Sequence, residues 1–156
     1  MDVPVLNTDE ALERIGQALA QNKPCQLVVT GGSMVPFLRH RKSAVLLGSA
    51  EAPYRRGEIL FYQRASGQCI LHRVHRVMDD GTLIMYGDAQ TYPERIAPQQ
   101  VLARATHVRR GTRFVPCTSL PLRLLVALWQ ALLPVREPLL AVMAGVRKLF
   151  GRKTQP

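Results

Sequence analysis

The sequence predicts a mainly β fold with flanking helices: a small antiparallel barrel or sandwich, preceded by one helix and followed by a helical pair. Three observations carry this. Between Cys25 and Val115, short apolar runs alternate with glycine-containing turns. Ahead of them, apolar residues recur at helical spacing. Beyond Ser119 the composition shifts to Leu, Ala and Val interrupted by prolines. A chain of 156 residues, 47% of them hydrophobic, suits one domain with a real core and some added structure. The expected division is an N-terminal helix in 1–24, a β-domain in 25–118 and an amphipathic helical tail in 119–156.

In chain order, Asn7 and Thr8 open the first helix. Asn7 and Glu10 have capping-box spacing, and Leu12, Ile15 and Leu19 form its apolar stripe until Lys23-Pro24 ends it. Gln26–Thr30 reads as a strand broken by Gly31-Gly32. Further strands are expected at Ala44–Leu47, Glu58–Gln63, Cys69–Met78, Thr82–Tyr86, Val101–Val108 and Arg113–Val115. Many short strands with short turns are the pattern of an antiparallel barrel or sandwich. Leu122–Leu133 and Pro138–Phe150 read as two helices joined by a turn bounded by Pro134 and Pro138. Each is too short to cross a bilayer, which takes about 20 residues. Basic residues (Arg123, Arg136, Arg147, Lys148, Arg152, Lys153) flank or interrupt them. Such helices suit a membrane surface or packing on the β-domain.

The formal net charge of +10 favours an anionic partner without choosing one. Absence of a helix-turn-helix pattern or finger spacing makes nucleic acid the weaker option, and no nucleic-acid partner is expected. The three cysteines, Cys25, Cys69 and Cys117, have no metal-ligand spacing, so neither a disulfide framework nor a metal site is expected. The opening Met1-Asp2-Val3-Pro4 has no secretory pattern. Localisation is expected to be membrane-associated or cytoplasmic.

Chemistry concentrates around Thr30-Gly31-Gly32-Ser33-Met34-Val35-Pro36. Glycines permit a tight turn and leave amides uncovered, so Ser33 would be exposed with its N–H free for an oxyanion. A serine hydroxyl needs a base. His72 lies in the strand that Asp79-Asp80-Gly81 turns back. Centring that turn on Asp80 places His72 opposite Asp88, a carboxylate able to fix the imidazole tautomer. His75, on the other face, would meet an apolar neighbour near Met85 and reads as a packing residue. His40 and His107 lie among basic residues and look incidental.

Four runs in order carry a resemblance: Gly32-Ser33-Met34-Val35-Pro36, Arg56-Gly57-Glu58-Ile59-Leu60-Phe61, Ile70-Leu71-His72-Arg73-Val74 and Tyr86-Gly87-Asp88-Ala89. Together they resemble the boxes of signal peptidases of the serine/histidine type, the archaeal, endoplasmic-reticulum and sporulation branch of the signal-peptidase-like serine peptidases. The resemblance spans roughly residues 26–109. It implies a serine endopeptidase with Ser33 as nucleophile and His72 as general base. Asp88 or Glu94 would be the third member, and Gly32, Thr30 and Met34 would be oxyanion or supporting positions. It also implies a signal or leader peptide, or a preprotein, held as an added strand and cut after small residues. No cofactor is implied.

The chain departs from that family in three respects. No N-terminal anchor precedes the boxes, which suggests action on the cytoplasmic side, on the leader of a ribosomally made peptide. Gly31 stands where the family often has a hydroxyl residue, leaving Thr30 or a backbone amide as second oxyanion donor. Arg39-His40-Arg41-Lys42-Ser43 replaces the Gly-Asp pair that usually follows the nucleophile box. The alternative is a catalytically weak or inactive relative that binds a peptide in the same groove. A self-cleaving repressor-type peptidase is disfavoured, because residues 1–24 hold one helix rather than a DNA-binding domain.

Overall fold

A computed structural model of the protein describes residues 8–151. The Asn7–Glu10 capping box, which needs Asn7, and the cations Arg152 and Lys153 lie outside these residues. Helix α1 (Thr8–Ala20) seats Ile15 in the core, with Leu12 and Leu19 half-buried beside it, as the stripe predicts. It ends where Lys23 N–H reaches back to the Ala18 carbonyl and Asn22 takes a left-handed φ of 54°.

Eight strands follow: β1 (Cys25–Val28), β2 (Ala44–Gly48), β3 (Ile59–Gln63), β4 (Cys69–Val77), β5 (Leu83–Tyr86), β6 (Glu94–Ile96), β7 (Val101–Arg110) and β8 (Arg113–Pro116). They form one antiparallel sheet in the order β1-β2-β7-β3-β4-β5-β6, with β8 paired to the end of β7. The sheet is open, since β1 and β6 end it and no described strand pair closes it. Both faces are nevertheless buried at its centre. Ile59 and Phe61 of β3 enter one core with Val45, Leu47 and Ala103, while Leu60 and Tyr62 enter a second with Val74, Leu83 and Met85. Period-2 alternation thus divides one strand between two cores.

Seven of these strands lie where the apolar runs place them. The exception is β6, three residues between Pro93 and Pro98, too short to show alternation. Its Ile96 is buried beside Leu83. The β4–β5 turn uses Gly81 at φ 85°, a conformation that disfavours side chains.

The tail forms α2 (Leu120–Ala131) and α3 (Arg136–Gly151), joined by a 3-10 turn at Leu133–Val135. Pro121 and Pro138 fall in the first turns, where a missing N–H costs nothing. Polar contacts fix the pair to the β-domain. Trp129 Nε1 donates to the Asp88 carbonyl (2.9 Å), Gln130 Nε2 to the Val74 carbonyl (2.9 Å), and buried Arg136 to the Gln90 carbonyl (2.8 Å). Both ends of the junction meet the segment 87–90, which borders Ser33.

Candidate active site

Ser33 stands on a turn that follows β1. Gly31 holds a left-handed φ of 82° and donates its N–H to His40 Nδ1 at 2.8 Å, so His40, expected to be incidental, braces the turn. Met34 and Leu38 plug into the first core, and Leu38 N–H donates to the Met34 carbonyl. On the other side, Ala89 N–H donates to the Ser33 carbonyl at 2.8 Å. Gly87 permits this approach, because a Cβ there would stand 2.6 Å from the Ser33 carbonyl oxygen. Gly32 and Thr30 are exposed, and Thr30 makes no side-chain hydrogen bond among the described residues. The N–H groups of Ser33 and Met34 likewise meet no acceptor among the described residues.

His72 projects from β4 opposite Leu60 and is only 2% exposed. Its Nε2 lies 3.2 Å from Ser33 Oγ. Its Nδ1 lies 3.2 Å from the Tyr62 hydroxyl, which donates to Glu94 Oε2 at 2.8 Å. Glu94 Oε2 itself is 3.8 Å from Nδ1. Arg64 clamps the same carboxylate through Nε (2.5 Å) and Nη2 (2.7 Å).

Donor counting fixes the tautomer. An ionised carboxylate only accepts, so the single Tyr62 proton points to Glu94. The Tyr62 oxygen then accepts from His72, which places the imidazole proton on Nδ1 and leaves the Nε2 lone pair facing the Ser33 hydroxyl. This is the arrangement a general base requires. Burial, the largest cause, pushes the His72 pKa down to about 4, against the opposing pull of Glu94. The imidazole is therefore neutral and able to accept a proton at pH 7. Hydrogen bonds from Arg64 hold the Glu94 carboxyl below the usual range, with Tyr62 adding to them.

Asp88 does not face His72. It forms a buried bidentate pair with Arg73, Nε to Oδ1 and Nη2 to Oδ2, both at 2.8 Å. Arg73 also donates to the Gly57 carbonyl (2.8 Å) and lies over the Phe37 ring. The cause is a bulge in β4. Near the turn, Val77 faces Leu83 and Arg76 faces Ile84, as a turn centred on Asp80 requires. Past the irregularity between Val74 and Arg76, Val74 faces Met85 and Arg73 faces Tyr86. One inserted residue reassigns the faces, so Arg73 rather than His72 takes the Asp88 carboxylate.

Of the two acidic candidates, Glu94 is the one brought to the imidazole, and Tyr62 is the link that sequence reading missed. Its signal was faint. Tyr62 lies two residues past Leu60, on the face His72 shares, and a phenol buried in an apolar strand needs a polar partner. His75 packs edge-on against Tyr86 (5.1 Å between centroids), as a packing histidine should, and His107 Nδ1 contacts the Thr106 hydroxyl. Among the described residues no group of His, Cys, Asp or Glu side chains could hold a metal ion. No family model, curated protein or solved structure matches this chain.

Proposed function

We propose that the protein is a serine endopeptidase of the signal-peptidase-like type, cleaving a signal or leader peptide with Ser33 as nucleophile and His72 as general base. The observation that carries this reading is the 3.2 Å contact between Ser33 Oγ and Nε2 of the buried His72 imidazole, whose Nδ1 meets Tyr62 and, through it, Glu94. A single open antiparallel sheet with a core on each face is the scaffold on which such a peptidase would be built. Among the described residues β1 pairs with β2 alone, so its other edge, leading directly to Ser33, is where an extended peptide would add as a strand.

In this mechanism Ser33 Oγ attacks the scissile carbonyl carbon while its proton passes to His72 Nε2. The carbonyl π electrons move onto oxygen, where the Ser33 and Met34 amides receive them. The imidazolium is stabilised through Nδ1–H, the Tyr62 hydroxyl and the Glu94 carboxylate, with Arg64 keeping that carboxylate ionised. Collapse breaks the C–N bond, and the leaving amine takes the proton from Nε2. Water, deprotonated by the same imidazole, then attacks the acyl carbon, the C–O bond to Ser33 breaks, and Nε2 returns the proton to Ser33 Oγ. Tyr62 and Glu94 are positioning residues here, since neither touches the reacting atoms.

A pH profile follows from the burial of His72. The base must be neutral, so kcat/KM should hold through mildly acidic pH and fall as pH drops through about 4. Glu94 raises the imidazole pKa, so Glu94→Gln should move this acidic limb lower while reducing kcat. An acidic limb near the unperturbed imidazole value of 6.5, or a limb that Glu94→Gln moves upward, would contradict the assignment. The function itself is tested by incubating the protein with a panel of leader and signal peptides and identifying the fragments by mass. Cleavage at one bond after a small residue is expected. Intact peptides that bind without being cut would replace the peptidase by a peptide-binding relative.

A further inference from the structure

The helical tail presents two unlike faces. Towards the β-domain, α2 turns Val126, Trp129 and Gln130, all buried. On the opposite side Leu120, Leu124 and Leu128, spaced four apart, are 66%, 62% and 59% exposed. α3 adds further exposed apolar residues. Arg136, Leu139 and Leu140 are buried or half-buried, but every described side chain from Ala141 to Val146 is exposed, including Val142 at 61%. A helix half with Ala, Val and Met on several sides, all exposed among the described residues, is an apolar surface suited to a partner.

Charge indicates which partner. From Ser119 to Pro156 the sequence has one acidic residue, Glu137, against Arg123, Arg136, Arg147, Lys148, Arg152 and Lys153. Glu137 accepts a hydrogen bond from Thr91, and Arg136 is buried, while Arg123 and Lys148 are exposed on the helices. Exposed apolar residues on helices that also carry exposed cations match an anionic bilayer surface, where leucines enter the acyl boundary and long basic side chains reach phosphates. No single described helix is long and apolar enough to cross a membrane, and α2 with 133–146 is bent by 60°. Such a bend suits two helices lying in the interface.

We propose that the face of Leu120, Leu124, Leu128, Val142 and Val146 seats the protein on anionic membrane surface. Because the docked face of α2 and the start of α3 hold the Asp88 and Gln90 carbonyls, and Ala89 holds Ser33, the bilayer fixes the height of the Ser33 turn above it. The membrane seat stands whether or not Ser33 is a nucleophile.

Flotation of the full chain with vesicles tests it. Binding is expected to phosphatidylcholine vesicles containing phosphatidylglycerol, more weakly to phosphatidylcholine alone, and less with added salt. Leu124→Glu with Leu128→Glu should lower partitioning at least about a hundredfold, since two leucines leave the apolar phase. The single tryptophan, Trp129, reports docking, so unchanged emission shows the fold intact. Arg123→Glu with Lys148→Glu, which spares the apolar face, should remove most of the preference for phosphatidylglycerol. Wild-type protein that stays with the unbound fraction at low salt would overturn the proposal, as would a leucine variant that floats equally well. A wild-type dimer that the leucine pair dissociates, and that ignores vesicles, would assign the face to a second copy of the chain.

Discussion

His72→Ala is expected to lower the cleavage rate about a thousandfold or more, and Ser33→Ala to match it, with KM little changed in both. The hydroxyl and imidazole act as one unit, so losing either removes nucleophilic attack. The double variant should be no slower than either single one, leaving only the residual effect of the free amides. Tyr62→Phe should fall between these and wild type, because it removes the link between Nδ1 and Glu94 while leaving the carboxylate 3.8 Å from that nitrogen. Steady-state kinetics on a peptide found to be cleaved check the series. Multiplicative losses in the double variant, or wild-type rates without His72, would show that the pair does not work together.

The second large effect falls on stability. Asp88→Ala leaves the Arg73 guanidinium unpaired in a site where Asp88 and Arg73 are 2% and 4% exposed. Breaking a buried ion pair from one side costs about 3–5 kcal/mol, most of it the uncompensated charge. The variant should unfold at much lower denaturant, and the segment carrying Ala89 should loosen first. Glu94→Gln should leave the midpoint far closer to wild type, since Glu94 is partly exposed and its loss is felt at the imidazole. The opposite pattern, a stable Asp88→Ala protein lacking activity, would return Asp88 to the catalytic group.

These two carboxylates show how far the sequence reaches. Glycine turns and period-2 runs place seven of the eight strands, and proline and composition place the helical tail. Ser33 is legible because a glycine elbow is a local feature, whereas His72 is singled out from His75 in the same strand by the ordered boxes and by an expected pairing with Asp88 that the structure gives to Arg73. The partner of His72 is not legible, since it depends on register. A single bulge near His75 moves Asp88 to Arg73, and no local pattern in β4 announces it. β6, which carries Glu94, is too short for periodicity to reveal. Tyr62 meets His72 only through the pairing of β3 with β4. His40 looked incidental because its role, accepting the Gly31 amide, spans a turn.

The most direct measurement of the central claim is covalent capture by a fluorophosphonate, which needs an activated serine but no knowledge of the substrate. Wild-type protein should gain one phosphonyl group, mapped by tandem mass spectrometry to Ser33, at a rate that collapses in His72→Ala. Modification spread over several serines, or labelling of Ser33 that is equally fast without His72, would contradict the pairing of these two side chains in chemistry.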